Sequence, residues 1–219
     1  MNHLKLPLLS REQCESIINL LNQAEWVDGR TTAGAQASTG KINKQVEHSS
    51  PERIEIQTIA QTEMWKNPAI KSFCLPRKLH RFQISKTIKG GGYETHVDNA
   101  YMSSGRSDLS FTLCLSDANS YKGGSLEVDS ISDSTELALQ QGEIVIYPST
   151  TLHRVKKVTD GERIVCVGWI ESYIKSEIDR VTLFQLDSGA RGLLAKYGRS
   201  DELDQVFLAY TNLLRSLGT

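Results

Sequence analysis

Cysteine is sparse. Cys14, Cys74, Cys114 and Cys166 are scattered, and no two of them stand at CxxC spacing. That argues against a zinc site built on thiolates, and the four thiols are expected to be reduced and mostly buried. A charge excess of either sign is also missing: 25 basic residues face 26 acidic ones, for a net charge of −1. Without a basic field, nucleic acid is not an expected partner. No apolar run reaches the length that spans a bilayer. The opening Met-Asn-His-Leu-Lys-Leu-Pro is too short and too polar before Ser10 for a secretory signal. The expected location is therefore the cytoplasm, with no membrane partner. Repeats and low-complexity runs are absent as well. No glycine-rich phosphate loop leads from a strand into a helix, which argues against a nucleotide-binding α/β fold. What remains is 219 residues, enough for one domain with a helical appendage and a core that needs no staples.

The N-terminal third reads as helical. Ser10 with Gln13 forms a capping box, and Cys14, Ile17, Leu20, Leu21 and Ala24 recur at helical spacing, which predicts a helix over 11–24. Ser50-Pro51 opens a second helix with Ile54, Ile59, Ala60 and Met64 as its inner face. A short third helix starts at Asn67-Pro68 and ends before Pro76. Between the first two lies a segment, 29–48, rich in Gly, Ser, Thr, Ala and Gln. It has two readings: a surface loop, or a lid that brings Gln36, Lys41, Asn43 or Gln45 to a substrate.

From Leu79 the period changes to two. Strands are expected at His80–Ile88, Tyr93–Asp98, Leu109–Leu115, Ser125–Val128, Glu136–Leu139, Gly142–Tyr147, Arg154–Lys157 and Arg163–Ile170. Asp117–Gly124 reads as a turn. Many short strands separated by turn signals indicate a β-sandwich or barrel. After Ser172 the pattern is helical again. One apolar stripe precedes Gly189, and a second runs from Leu203 to Leu217, as a helical segment packed on the sandwich or used in a homodimer contact.

Chemistry concentrates at His96-Val97-Asp98. On a strand, alternate side chains share a face, so His96 and Asp98 would project together with Val97 turned away. That pair supplies two thirds of a 2-His-1-carboxylate facial triad for ferrous iron. His153, just after the strand ending at Tyr147, stands where a third ligand could be presented. Its alternative is an ordinary half-buried histidine. His80 begins a strand and reads as structural. Ten residues beyond His153, Arg163 falls on the next strand, and antiparallel pairing across the turn Thr159-Asp160-Gly161 is expected to fold it back beside His153. With Val165 and Val167 on its face, Arg163 would point inward as a guanidinium for a carboxylate ligand. The alternative is an outward arginine in a surface ion pair.

His96-x-Asp98, His153 and Arg163, in that order, resemble the iron(II)/2-oxoglutarate-dependent dioxygenases. Within them the chain is similar to the prolyl/lysyl hydroxylase-like branch, the bacterial PKHD-type hydroxylases. The resemblance covers nearly the whole chain: Trp26-Val-Asp-Gly-Arg-Thr-Thr-Ala-Gly with Gln36-Ala37 and Lys41-x-Asn43-x-Gln45; His96-Val-Asp-Asn-Ala100; Asp108-Leu-Ser; Tyr121-x-Gly-Gly124; and Tyr147-Pro-Ser-Thr-x-Leu-His through to Arg163, closed by Gly168-Trp169-Ile170. The resemblance implies a mainly β fold: a double-stranded β-helix (jelly roll) with N-terminal helices and a C-terminal helical extension. The implied boundaries are 1–78 for the helical region with the lid-like loop 29–48, 79–172 for the jelly-roll core and 173–219 for the extension. It implies Fe(II) held by His96, Asp98 and His153, with 2-oxoglutarate bound at its far carboxylate by Arg163. Hydroxylation of a peptide or small-molecule substrate, such as a peptidyl proline or another amino-acid side chain, would then consume O2 and release succinate and CO2, with ascorbate as a supporting reductant. One position departs from the pattern. Where the family often carries a tyrosine, nine residues before the first histidine, this chain has Thr87, and Thr112 or Tyr93 would supply the missing hydroxyl. Three readings stand beside the hydroxylase: a non-catalytic iron and 2-oxoglutarate sensor linked to iron homeostasis, a nucleic-acid demethylase, and a cupin-like metalloprotein. A cupin would not require Arg163, and the demethylase lacks both a basic surface and a second arginine close after His153.

Overall fold

The computed structural model describes residues 3–32, 40–102, 104–129 and 134–219. The expected lid residue Gln36 lies outside them. The first helix, α1 (Arg11–Leu21), starts as its cap dictates: Ser10 Oγ accepts from Gln13 N–H at 3.2 Å, and Gln13 Oε1 accepts from Ser10 N–H at 2.8 Å. Cys14, Ile17 and Leu21 are its buried face. Helix α2 (Pro51–Lys66) has Ser50 as its cap and Pro51 in its first turn. Its inner stripe is Arg53, Ile56, Ala60 and Met64, one residue out of phase with the expected stripe at its start, and Ile54 is 52% exposed. Arg53 takes the inward place because its guanidinium can donate to the carbonyls of His48 and Phe82, so the charge enters with partners. Helix α3 (Pro68–Cys74) follows directly, capped by Asn67.

Two sheets face each other. The larger, eight-stranded among the described residues, runs β1 (Leu4–Pro7), β13 (Glu143–Pro148), β9 (Leu109–Cys114), β15 (Val158–Ser172), β5 (Pro76–Ile88), β4 (Lys44–Val46) and β2 (Trp26–Asp28), with β10 (Tyr121–Gly123) added on β15. The smaller runs β12 (Ser134–Leu137), β11 (Leu126–Asp129), β14 (His153–Val155), β6 (Gly92–His96) and β3 (Lys41–Ile42). A two-stranded hairpin of β7 (Tyr101–Met102) and β8 (Gly105–Arg106) lies apart. All the pairings are antiparallel, and together they make the jelly roll. The N-terminal region thus contributes strands to both sheets as well as helices. The segment that read as a structureless loop holds a 3-10 turn over Gly29–Thr32 and two of these strands, and the turn at 117–124 holds β10.

The helices cover the outer face of the larger sheet. Phe82, Ile84, Phe111, Leu113, Ile144, Ile146, Cys166 and Ile170 meet Ile17, Ile56, Met64 and Ile70 there, each at most 1% exposed. A second apolar cluster, including Leu126, Val128, Leu137, Val145 and Tyr147, fills one end of the space between the sheets. The remainder of that space is a cavity. At the C-terminus α4 (Glu177–Tyr197) continues through Gly189 and Gly192, past the point where its apolar stripe breaks, and pairs with α5 (Asp201–Leu217). Cys14, Cys74, Cys114 and Cys166 are all free and buried. Among the described residues no helix is long and apolar enough to cross a membrane.

Candidate active site

His96 is the last residue of β6, and Asp98 lies just beyond it, outside any strand. The two still converge, and the alternation that was expected to bring them together survives in Val97, which is 51% exposed. His153 opens β14, the strand that pairs with β6, and stands directly opposite His96. Backbone approach is close here: a Cβ on Gly92 would lie 2.8 Å from the carbonyl oxygen of Val155, so only glycine lets β14 seat against β6.

The three side chains are 10%, 10% and 5% exposed, and one ligand atom from each lies within 4.8 Å of the others. Nε2 of His96 is 3.9 Å, and Nε2 of His153 3.7 Å, from an Asp98 carboxylate oxygen. Each imidazole donates from Nδ1 to a backbone carbonyl, His96 to Glu94 at 2.8 Å and His153 to Thr151 at 2.9 Å. This fixes the tautomer and leaves both Nε2 lone pairs facing Asp98. Burial, with His153 beside it, lowers the His96 pKa to about 4, so the neutral, ligating form prevails near neutrality. Asp98 Oδ2 accepts from Ser110 Oγ at 2.5 Å. Ser110 in turn meets Ser149 Oγ at 2.8 Å, and Ser107 donates to Ser149 at 2.9 Å. This buried serine chain orients the carboxylate. Ser107 carries no signal in the sequence, and Ser149 stands in the motif Tyr147-Pro-Ser-Thr without a role assigned to it, because isolated serines have no diagnostic spacing.

Arg163 reaches the same cavity from the opposite sheet. The expected pairing of its strand with that of His153 does not occur. The turn Thr159-Asp160-Gly161 lies inside β15, which pairs with β5, β9 and β10, whereas β14 pairs with β11 and β6. His153 and Arg163 therefore face one another across the sandwich instead of lying side by side. Arg163 is 5% exposed, and Val165 and Val167 line the cavity with it. It interacts with the Tyr121 hydroxyl, whose pKa burial raises to about 12. Among the described residues no carboxylate pairs with it. Gly124, at φ +68°, makes room for it: a Cβ there would lie 2.8 Å from Arg163 Cδ.

The cavity, about 120 Å³, is also lined by Thr87, Thr112, Tyr93, Tyr147, Lys41, Asn43 and Gln45. Thr87 is the cross-strand partner of Arg163. Thr112 lies at the Tyr147 hydroxyl, whose pKa burial raises well above its usual value. Tyr93 stacks on His96, with centroids 3.7 Å apart, and Lys41 Nζ sits 5.3 Å from the Tyr93 ring. Burial lowers the Lys41 pKa to about 8. His80 stays out of the site: it lies 2.9 Å from Glu171 and 2.6 Å from Ser104 Oγ, the structural role expected of it.

A jelly roll that gathers two histidines and a carboxylate at one wall and a buried arginine at the other is the architecture of a 2-oxoglutarate-dependent iron oxygenase. Residues 82–171 match the 2OG-Fe(II) oxygenase superfamily. The fold is shared with a Pseudomonas putida prolyl-4-hydroxylase, at a TM-score of 0.58 and 15% identity, over 78% of this chain and 92% of that one. Over its full length the chain is 64% identical to a PKHD-type hydroxylase of Synechococcus sp. (strain CC9311), covering 100% of each. It is 51% identical to a PKHD-type hydroxylase of Prochlorococcus marinus (strain AS9601), again covering 100% of each. The chain belongs to the PKHD-type hydroxylase family, a group of dioxygenases for which Fe(II), 2-oxoglutarate and O2 are the implied cofactor and co-substrates.

Proposed function

We propose that this enzyme hydroxylates an amino-acid side chain, free or in a peptide such as a peptidyl proline, with His96, Asp98 and His153 holding iron and Arg163 holding the far carboxylate of 2-oxoglutarate. The observation that carries the reading is the buried Arg163. A buried guanidinium with no carboxylate partner among the described residues, facing a His-Asp-His group across the cavity, calls for an anionic ligand between the two. The donor set fits the metal: two imidazoles with free Nε2 atoms and one oriented carboxylate leave coordination positions open.

When bound, iron and 2-oxoglutarate supply the oxidising chemistry, with succinate and CO2 as by-products, and ascorbate would keep the metal ferrous. The protein supplies position. The carbonyls of Glu94 and Thr151 hold the imidazoles, and Ser110 holds Asp98. Val165, Val167 and Leu126 give the co-acid a water-poor wall. Tyr121 touches Arg163 without being among the residues that line the cavity, so it would position that guanidinium; of the two expected hydroxyls, Tyr93 packs on the metal side and Thr112 turns to Tyr147. The jelly-roll core, 79–172, would carry the chemistry, with Lys41, Asn43 and Gln45 of the segment before it lining the cavity wall. Free, buried cysteines suit a reducing compartment such as the cytoplasm. Leu193, Leu194, Tyr197, Leu208 and Leu213, all at least 40% exposed on α4 and α5, support a homodimer through that helical pair, which sedimentation would reveal.

Anaerobic titration with Fe(II) and 2-oxoglutarate is the test. A visible metal-to-ligand charge-transfer band is expected. A folded protein that shows none overturns the co-substrate assignment. Succinate released slowly in air without substrate separates the enzyme from a sensor.

A further inference from the structure

The strands β5 and β15 pair in regular register from Glu162↔Ile88 to Val167↔Gln83, and the pairing then shifts so that Trp169 opposes His80. Arg81 and Phe82 together face the single residue Gly168, which is a β-bulge. Arg81 pays for it in backbone strain: it has φ +47°, and Leu75 is the other non-glycine described residue at positive φ. An arginine gains nothing locally from the left-handed region, and such strain collects where a side chain must be aimed. Here the bulge aims an exposed guanidinium at the mouth of the iron cavity, and Arg81 lines both that cavity and an adjoining groove.

The groups around it are donors. Trp169 Nε1 is buried, lines the cavity and has no hydrogen-bond partner. Gln83 Oε1 already accepts from Gln45 Nε2 at 3.0 Å, which leaves the Gln83 amide N–H groups to the cavity. Among the described residues Arg81 has no ion pair. Glu47 lines the adjoining groove, but it accepts from the Ser49 backbone and hydroxyl at 2.6 and 2.5 Å. Lys41, buried on the cavity wall, adds positive charge close to Arg81. A wall of N–H donors around a guanidinium is complementary to a carboxylate, which takes two parallel hydrogen bonds from such a fork.

This wall does not serve the co-acid. Arg163 stands opposite Thr87, six residues from Arg81 along β5, which is roughly 20 Å of strand. The candidate metal ligands lie level with Trp169 through Ser110, the cross-strand partner of Trp169 and the donor to Asp98, so a co-acid held by Arg163 would approach them from the Thr87 end of the cavity. Arg81 flanks His80, the cross-strand partner of Trp169, so it stands at the level of the metal ligands and toward the opposite end of β5 from Arg163. We infer that Arg81, with Trp169 Nε1 and Gln83, binds a carboxylate of the primary substrate, and so selects an acid whose reacting carbon sits at the metal. This rests on the function proposed above.

The probe is a panel of N-acetyl amino acids, each supplied as the free acid and as the amide, tested by anaerobic calorimetry on the Fe(II)- and 2-oxoglutarate-loaded enzyme. At least one acid should bind about tenfold or more tighter than its amide, the scale of a charged hydrogen bond. R81Q should erase that preference while leaving 2-oxoglutarate affinity unchanged. R81G, which relieves the φ strain, should erase it too, with a Tm within a few degrees of the wild type. Acids and amides binding alike, a preference that persists in R81Q, or a loss of 2-oxoglutarate binding in R81Q equal to that in R163Q would each overturn the inference. Failure of the wild type to bind 2-oxoglutarate at all would instead overturn the underlying function.

Discussion

The two faces of the larger sheet are built from the same strands and have opposite characters. On β9, Leu109, Phe111 and Leu113 turn to the helices, whereas Ser110 and Thr112 turn to the cavity. On β5, Phe82 and Ile84 alternate with Gln83, Ser85 and Thr87 in the same way. Both faces are buried, so exposure does not distinguish them. The difference is what burial does. The helix-side residues lose water and gain contacts, which stabilises the fold. The cavity-side residues lose water and gain few partners, which costs stability and leaves donors and acceptors ready for ligands. A period of two thus lets one strand hold the fold on one side and present the chemistry on the other.

Substitutions can break that division in either direction. The largest expected effect is on the cavity side: His153→Ala should abolish iron binding and turnover while the folded state persists, as read by metal analysis and circular dichroism. Tight stoichiometric iron in that variant would remove His153 from the ligand set. Arg163→Gln should weaken 2-oxoglutarate and spare iron; an equal loss of both would give Arg163 a folding role. On the helix side, Phe111→Ala should cost about 3–5 kcal/mol in urea unfolding, with the fraction that stays folded still able to bind metal. Ser110→Ala should lower iron affinity by roughly 10–100-fold with little change in stability, because it frees the Asp98 carboxylate without opening the core. The smallest effect concerns pH. His96 keeps a pKa of about 4 when folded, against 6.5 for an ordinary histidine. Between those values the unfolded chain binds the extra proton, so metal-free protein should lose stability as pH falls from 6.5 toward 4. His96→Gln should flatten that slope, and an unchanged slope would place the titration elsewhere.

The candidates His96, Asp98, His153 and Arg163 were legible because His96-x-Asp98 and the ten-residue step from His153 to Arg163 are short patterns that occur in the order of the family they resemble. Their relative placement was not. Arg163 was expected beside His153, since two strands joined by a short turn usually pair. In a jelly roll the chain crosses between sheets instead, and nothing local in Lys156-Lys157, between β14 and β15, marks the crossing. Strands β3 and β4 were missed because Lys41, Asn43 and Gln45 are polar on the cavity side, where a core strand would be apolar. Tyr121 stood in the motif Tyr121-x-Gly-Gly124 but was given no role, because the segment around it read as a turn. Arg53 displaced Ile54 from the buried stripe of α2 because two backbone carbonyls awaited it, a tertiary fact.

The first strand has a consequence for how this protein is made. Leu4 pairs with Ile146, Leu6 with Ile144 and Pro7 with Glu143. On a ribosome, β1 emerges long before its partner exists, and His96 likewise waits more than fifty residues for His153. Pairings this remote in sequence close slowly. Iron therefore cannot template the early stages of synthesis. The proposed metal site is completed only when His153 of 219 residues has been translated, about 70% of the chain, and the earliest segment to appear waits for β13 before it is secured.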